Sequence, residues 1–250
     1  MATAGRIRLD ELLVRQGHFP SRSRARDAVL RGAVCVDGAV ERRPGRPVAA
    51  DAPTRVADPG QAYVARSALK LIAGLDHFAI DVAGVVALDI GASTGGFTQV
   101  LLELGAAGVV AIDVGHGQLH ESLRGDSRVI AIEGLNARDL TLGHLGGRAP
   151  DLIVADVSFI SLRLALPPAL ALAAPGARAV VLVKPQFEAG REAIGKGGLL
   201  RDPATARSVA EVVAAWFADQ PGWRVLGLVD SPIEGGDGNR EFLLAAVKEG

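Results

Sequence analysis

Lysine is scarce in this chain: of 250 residues only Lys70, Lys184, Lys196 and Lys248 are lysine, against 23 arginines. Two of the four stand among apolar neighbours. Lys70 is flanked by Leu69 and Leu71, and Lys184 ends the run Ala179 to Val183 and precedes Pro185. An unpaired ammonium is costly in such surroundings. Asp156 ends a second apolar run, Leu152 to Ala155, and Glu241 opens the last one. Lysines and carboxylates at the ends of apolar runs are the groups that could move or hold a proton beside a ligand. Taken alone, Lys70 reads equally as a lysine on a helix surface.

A glycine-rich turn is the second chemical feature. It reads Asp89-Ile90-Gly91-Ala92-Ser93-Thr94-Gly95-Gly96-Phe97-Thr98 and follows an apolar run. Glycines there let backbone approach a ligand, and a helix starting near Phe97 offers free N–H groups. A dinucleotide fingerprint needs glycine where Ser93 stands, and a P-loop begun at Gly91 needs lysine where Phe97 stands, so both phosphate readings fail. Asp113, at the end of the next apolar run, is placed to accept both ribose hydroxyls of an adenosine. With no pyrophosphate cradle, the ligand that fits is a nucleoside bearing an amino acid, and S-adenosylmethionine is the natural candidate. The competing reading is a glycine turn that merely closes an α/β unit.

These residues need a sheet to bring them together. Residues 85–90, 109–112, 129–132, 152–155, 179–183 and 225–229 are short apolar runs separated by helical patterns. That alternation predicts a parallel sheet covered on both faces. Residues 241–247 follow a glycine-rich turn at 235–238 too short for a crossover helix, so this run is expected to pair antiparallel as a seventh strand. Ligands of such sheets bind beyond the carboxyl ends of the strands, where Asp156 and Lys184 fall.

The N-terminal stretch is different. Residues 1–56 carry 11 arginines, no lysine and 6 acids, a net +5, and the rest of the chain sums to −6. This asymmetry predicts a basic module that meets polyanions, followed by a mildly acidic body. Residues 8–16 read as a short helix stopped by Gly17. Ser21 caps a second helix, Arg22 to Arg31, ended by Gly32, and Asp37-Gly38 joins two strands as a hairpin. Arg22, Arg24, Arg26 and Arg31 cannot all be neutralised by Asp27, so the helix should present positive charge. A solvated surface is the plain alternative. Arginine in place of lysine favours forked phosphate contacts and base stacking.

Composition narrows the class further. At 49% hydrophobic and 22% charged residues, disordered, collagenous and coiled-coil chains are excluded. The single cysteine, Cys35, excludes an internal disulfide framework. No signal-peptide core opens the chain, and the most apolar stretch, 164–177, contains three prolines and is too short to span a bilayer. The expectation is a cytoplasmic protein without a membrane partner.

Two resemblances sharpen this. The words RLDELLVRQG, SRSRARDAVLRGAVCVDG and RRPGRPV resemble the alpha-L RNA-binding domain first described in ribosomal protein S-four. That resemblance implies structured RNA as partner, with contacts on Arg8, Arg22, Arg24, Arg26, Arg31, Arg42 and Arg43. The words LDIGASTGGFT, ADVSFISL, VLVKPQFE and GNREF together resemble the TlyA family of ribosomal RNA 2'-O-methyltransferases, also called haemolysin A, whose catalytic domain is FtsJ-like. What it implies is a Rossmann-like methyltransferase sheet of seven strands, the last antiparallel, behind a small α+β RNA-binding domain. The expected bounds are 1–56 for the RNA-binding domain, 57–62 for a linker and 63–250 for the methyltransferase. The family's Lys-Asp-Lys-Glu tetrad falls on Lys70, Asp156, Lys184 and Glu241. Cofactor contacts fall on Asp89, Gly91, Ala92, Gly95, Gly96, Phe97, Asp113 and Asn136. Ser67 departs from the glycine usual in relatives, but leaves Lys70 in register.

The implied reaction moves a methyl group from S-adenosylmethionine to a cytidine 2'-hydroxyl in ribosomal RNA, with Lys184 as base and no metal. An ordinary lysine, with a pKa of about 10.4, is protonated at neutral pH. A lysine base therefore needs burial or a neighbouring cation, here Lys70, to free its amine, with Asp156 steadying the charged form and Glu241 orienting one lysine. The loop 188–200, rich in glycine, is a candidate cover for substrate or a plain connection. Which ribosomal subunit is modified stays open at this stage. Two rival readings are a ribosome-assembly factor that binds RNA without chemistry and, ranked lower, a membrane-active haemolysin.

Overall fold

The computed structural model describes residues 5–235 and 238–250 and divides into two compact units, Met1–Ala62 and Tyr63–Gly250. In the first unit, strand β1 (Arg6–Arg8) leads into helix α1 (Leu9–Arg15), and helix α2 (Arg22–Arg31) follows. The Ser21 hydroxyl accepts from the Arg24 N–H at the start of α2, and Gly32 ends the helix in the left-handed region. Strands β2 (Val34–Val36) and β3 (Ala39–Val40) form the hairpin over Asp37-Gly38, both in the left-handed region. Strands β4 (Pro47–Ala49) and β5 (Thr54–Val56) complete the unit, β4 pairing with β1 and β5 with β2. Three-residue strands are too short to show a period of two, so sequence patterning gives no sign of β1, β4 or β5. Leu9, Leu12, Leu13, Ala25, Ala28, Val29 and Val34 form the core.

Residues 57–62 are not a free linker. The Arg31 guanidinium bonds the Asp58 carboxylate at 2.7 Å, and Arg24 and Gln61 bridge to backbone within the first unit. The segment is thereby fastened to α2.

The second unit is the expected α/β body. Helix α3 (Ala68–His77) precedes strand β6 (Val86–Ile90), helix α4 (Gly96–Glu103), strand β7 (Gly108–Asp113), the short helix α5 (Glu121–Arg124) and strand β8 (Val129–Glu133). Strand β9 (Leu152–Ala155), helices α6 (Leu162–Ala165) and α7 (Pro167–Leu172) and strand β10 (Arg178–Val183) follow. Helices α8 (Pro185–Glu188) and α9 (Ala206–Ala218) and strands β11 (Trp223–Asp230) and β12 (Phe242–Lys248) end the unit. The sheet order is β11-β12-β10-β9-β6-β7-β8, with β12 inserted antiparallel between β10 and β11. But for Asp89 in β6 and the terminal Asp113 and Arg178, the central strands are apolar because both faces are covered. Val181, Val183 and Leu244 pack on the side of α6, α7 and α9, and Val180, Leu182 and Leu243 on the side of α3 and α4.

The end of β12 supports α7 from outside its own sequence. Lys248 Nζ donates to the carbonyls of Leu170, Ala171 and Ala173 at 3.1, 3.2 and 2.7 Å, the orphan acceptors at the helix C-terminus. Lys248→Met should cost about 1 to 2 kcal/mol, lowering the melting temperature by a few degrees. An unchanged melting temperature would show that water replaces the ammonium at no cost.

Candidate active site

The site lies at the carboxyl ends of β6, β7, β9 and β10. A cleft of about 610 Å³ is lined by Gly91, Ser93, Ile112, Asp113, Asn136, Asp156 and Phe159, among others. A smaller pocket of about 170 Å³ shares Gly91, Ser93, Asp156 and Ser158 with it and adds Ser67, Ala92, Phe97 and Lys184. The first has the volume of a typical cofactor site.

Backbone geometry makes the floor of the cleft. At Gly91, φ is +80°, and a Cβ would lie 2.7 Å from the Asp156 carbonyl oxygen, so no side chain fits between the turn and the end of β9. Ser93 takes the left-handed region as well, at φ +48°. Its N–H donates to Asp113 Oδ2 at 2.8 Å, and the Gly115 N–H donates to Oδ1 at 2.7 Å. These two bonds fix the Asp113 carboxylate on the cleft wall while leaving each oxygen a lone pair. Asn136 is fixed in the same way, its Oδ1 accepting from the Arg138 N–H at 3.1 Å.

Asp89, Gly95 and Gly96 lie elsewhere than on the wall. Asp89 is fully buried and accepts from the Thr98 hydroxyl at 2.6 Å. Burial pushes its carboxyl up to about 7, opposed by Thr98 and aided by the charge of Asp156. Along β6, Leu88 and Ile90 face one side, so Asp89 faces the side covered by α4, where Thr98 waits. Gly95 and Gly96 are buried too, and a Cβ on Gly96 would lie 2.6 Å from Ser67 Oγ, so this glycine lets α4 start beneath the segment leading into α3.

The four acid and base residues meet as two ion pairs. Lys184 Nζ lies 2.6 Å from Asp156 Oδ1 and donates to Ser158 Oγ at 2.9 Å. Lys70 is buried in an ion pair with the Glu241 carboxylate, which is buried in turn. The register explains the convergence. Val183 pairs with Phe242 in the antiparallel ladder, so Lys184 and Glu241 occupy facing positions one step beyond it. Ala155 and Val181 pair in the parallel ladder, which puts Asp156 beside the end of β10. Lys184 borders the pocket, and Lys70 has its own counter-ion, so the like-charge repulsion expected between the two ammonium groups is offset.

Ser158 and Phe159, both within ADVSFISL, are site residues whose types alone carry no sign of a role. The Phe159 ring is 92% exposed at the cleft rim, at φ +65°, with its centroid 5.2 Å from that of Phe187. In the first unit, the expected RNA-contacting arginines are partly engaged. Arg8 and Arg22 both reach the buried Asp10 carboxylate, at 3.0 and 3.3 Å, and Arg43 reaches Glu41 at 3.0 Å. Arg42 donates to the Leu30 carbonyl, and Arg31, held by Asp58, has only 18% of its side chain exposed. Arg8, Arg22, Arg26, Arg42 and Arg43 remain exposed. The face of α2 is thus balanced partly by carboxylates from outside the helix.

Known proteins match both units of the chain. A family described as FtsJ-like methyltransferase matches residues 63–248, and an S4 domain matches residues 7–52. The 16S/23S rRNA (cytidine-2'-O)-methyltransferase TlyA of Mycobacterium tuberculosis is 49% identical over 243 residues, covering 96% of this chain and 90% of that protein. Hemolysin A of Brachyspira hyodysenteriae is 38% identical, with 95% and 98% covered. A solved protein of Streptococcus thermophilus, provisionally described as a hemolysin, superposes with a TM-score of 0.75 at 40% identity, covering 98% of this chain and 90% of its own. Among the described residues no helix is long and apolar enough to cross a membrane. With a methyltransferase sheet behind an S4 domain and this degree of identity along nearly its whole length, the chain belongs to the TlyA family of FtsJ-like methyltransferases.

Proposed function

We propose that this chain methylates the 2'-hydroxyl of a cytidine in ribosomal RNA, using S-adenosylmethionine, with Lys184 as the base. The observation that carries the reading is Lys184 held against Asp156 and Ser158 in a small pocket that shares Gly91, Ser93, Asp156 and Ser158 with the cleft bearing the fixed carboxylate of Asp113. The cleft suits the cofactor: its volume is sufficient, the Gly91 floor admits no side chain, and Asp113 and Asn136 offer acceptors for a ribose and a base edge. When bound, the cofactor supplies an electrophilic methyl group on a sulfonium. After giving its own proton to solvent, Lys184 takes the proton of the attacking hydroxyl; Asp156 orients the nitrogen and balances the ammonium that results; Ser158 accepts from the same nitrogen and limits its rotation. Alignment is expected to contribute the larger share of the acceleration.

The substrate follows from the relatives, whose printed activity is on ribosomal cytidines, and from the S4 domain with its exposed arginines. This reading places the chain in the cytoplasm with the ribosomal subunits. The test is methyl transfer from labelled S-adenosylmethionine to isolated subunits, followed by mapping of 2'-O-methylated positions. Cytidine-specific label in ribosomal RNA is the expected result; label on another base, or cofactor binding without transfer to either subunit, would overturn it. The second outcome would favour the assembly-factor reading.

If the first unit carries the RNA, replacing Arg22, Arg24 and Arg26 together by alanine should weaken binding to ribosomal RNA at least tenfold and lower the slope of log affinity against log salt by about two to three. An unchanged slope would mean that these arginines only solvate the surface.

A further inference from the structure

The word that contains Lys184 also contains Glu188, an acid that the mechanism above leaves idle although it is buried. Helix α8 starts directly after Lys184, with Pro185 in its first position, and closes a single turn at Glu188. Both carboxylate oxygens of Glu188 are used. Oε2 accepts from the Ser161 hydroxyl at 2.6 Å, and Oε1 accepts from the Leu162 N–H at 2.7 Å. The Arg163 guanidinium lies 3.6 Å from the carboxylate and donates to the Glu188 carbonyl at 3.1 Å. All three partners stand at the start of α6, where Ser161 is the N-cap, a few residues beyond Asp156.

Two neighbouring segments, 156–163 after β9 and 184–188 after β10, are therefore joined by three rungs. Lys184 meets Asp156 and Ser158 at the top, the Phe187 ring touches the exposed Phe159 ring in the middle, and Glu188 holds residues 161–163 at the bottom. An apolar residue at 188 could fill the same space. A carboxylate receiving two hydrogen bonds and an ion pair instead admits one register between the segments. Burial pushes the Glu188 carboxyl up, and Ser161, Leu162 and Arg163 work against that shift.

We propose that Glu188 is a positioning residue for Lys184: by fastening α8 to the start of α6, and so to the segment that leads there from Asp156, it holds the Lys184 ammonium against Asp156 and Ser158. The proposal rests on the reading of Lys184 as the base, but its test has a readout that does not. With only four lysines in the chain, acetylation by an N-hydroxysuccinimide ester can be followed at each by mass spectrometry, with the exposed Lys196 as internal reference. In the full-length protein, Glu188→Ala should raise the labelling of Lys184 relative to Lys196 severalfold. It should also lower kcat about tenfold or more while KM for RNA and cofactor affinity change little. Glu188→Gln, which can still accept from Leu162 and pair with Ser161, should restore most of both. Ser161→Ala removes one rung only and should shift labelling in the same direction by less, which keeps the test available if the alanine variant at 188 folds poorly. Unchanged Lys184 labelling in these variants would overturn the proposal, as would a kcat that holds at temperatures where Glu188→Ala is folded. If the wild type transfers no methyl group, the functional reading fails, and the labelling ratio still decides the positioning role.

Discussion

Replacing Lys184 by alanine is expected to lower the rate of methyl transfer about 10²- to 10⁴-fold while S-adenosylmethionine affinity stays within a few fold. The expectation follows from where the residue lies. Its ammonium borders the smaller pocket, ion-paired with Asp156 and bonded to Ser158, whereas the proposed cofactor acceptors Asp113 and Asn136 stand on the wall of the larger cleft and are fixed by the backbone N–H groups of Ser93, Gly115 and Arg138. Removing three methylenes and an amine therefore leaves the Asp113 and Asn136 anchors intact. Single-turnover transfer to ribosomal subunits measures the rate, and calorimetry measures the affinity. Lys184→Arg separates two roles that alanine confounds. A guanidinium keeps the cation and can still pair with Asp156, but it does not give up its proton in a protein. If arginine supports near-normal turnover, position 184 supplies charge alone, and the base must be sought elsewhere.

Much of this architecture can be read from local pattern. The continuous apolar runs of β6, β7, β9 and β10, each bounded by turn residues, leave no arrangement but a sheet covered on both faces, and residues at strand ends then converge by topology. Ser21 and Gly32 mark both ends of α2 because each does a job at a helix end that few residues can do. What local pattern does not contain is the facing of side chains across long separations. Lys70 and Glu241 stand 171 positions apart and meet only because α3 packs across β10 and β12, and Lys184 meets Asp156 through the parallel pairing of β9 with β10. Asp89 shows the same limit in miniature. Its place beside the glycine turn suggests a ligand contact, yet the alternation along β6 turns it under α4 to Thr98. Arg31 belongs by sequence to an exposed basic face, but Asp58, in a segment that reads as a linker, holds it against the module.

The pairing of Lys70 with Glu241 carries the second large effect. Helix α3 crosses β10 and β12 closely enough that a Cβ on Gly74 would lie 2.9 Å from Val180 Cγ1, and one turn earlier on the same face Lys70 reaches Glu241, two residues before Leu243. Both groups are dehydrated, so each depends on the other. Glu241→Ala strands an ammonium in the interior and should cost about 3 to 5 kcal/mol, a third or more of the margin of many domains. The double variant Lys70→Met with Glu241→Leu removes both charges and fills the space, and should recover most or all of that loss. Denaturant unfolding of the three proteins measures this directly, and a Glu241→Ala variant within about 1 kcal/mol of wild type would mean that water reaches the pair. Activity then distinguishes scaffold from chemistry. If the pair serves only to join α3 to β12, the double variant should methylate at the wild-type rate once its stability returns. If the pair also fixes the field around Lys184 and its hydroxyl substrate, the double variant should be stable and slow, with cofactor affinity intact, because the loss then lies in the chemical step.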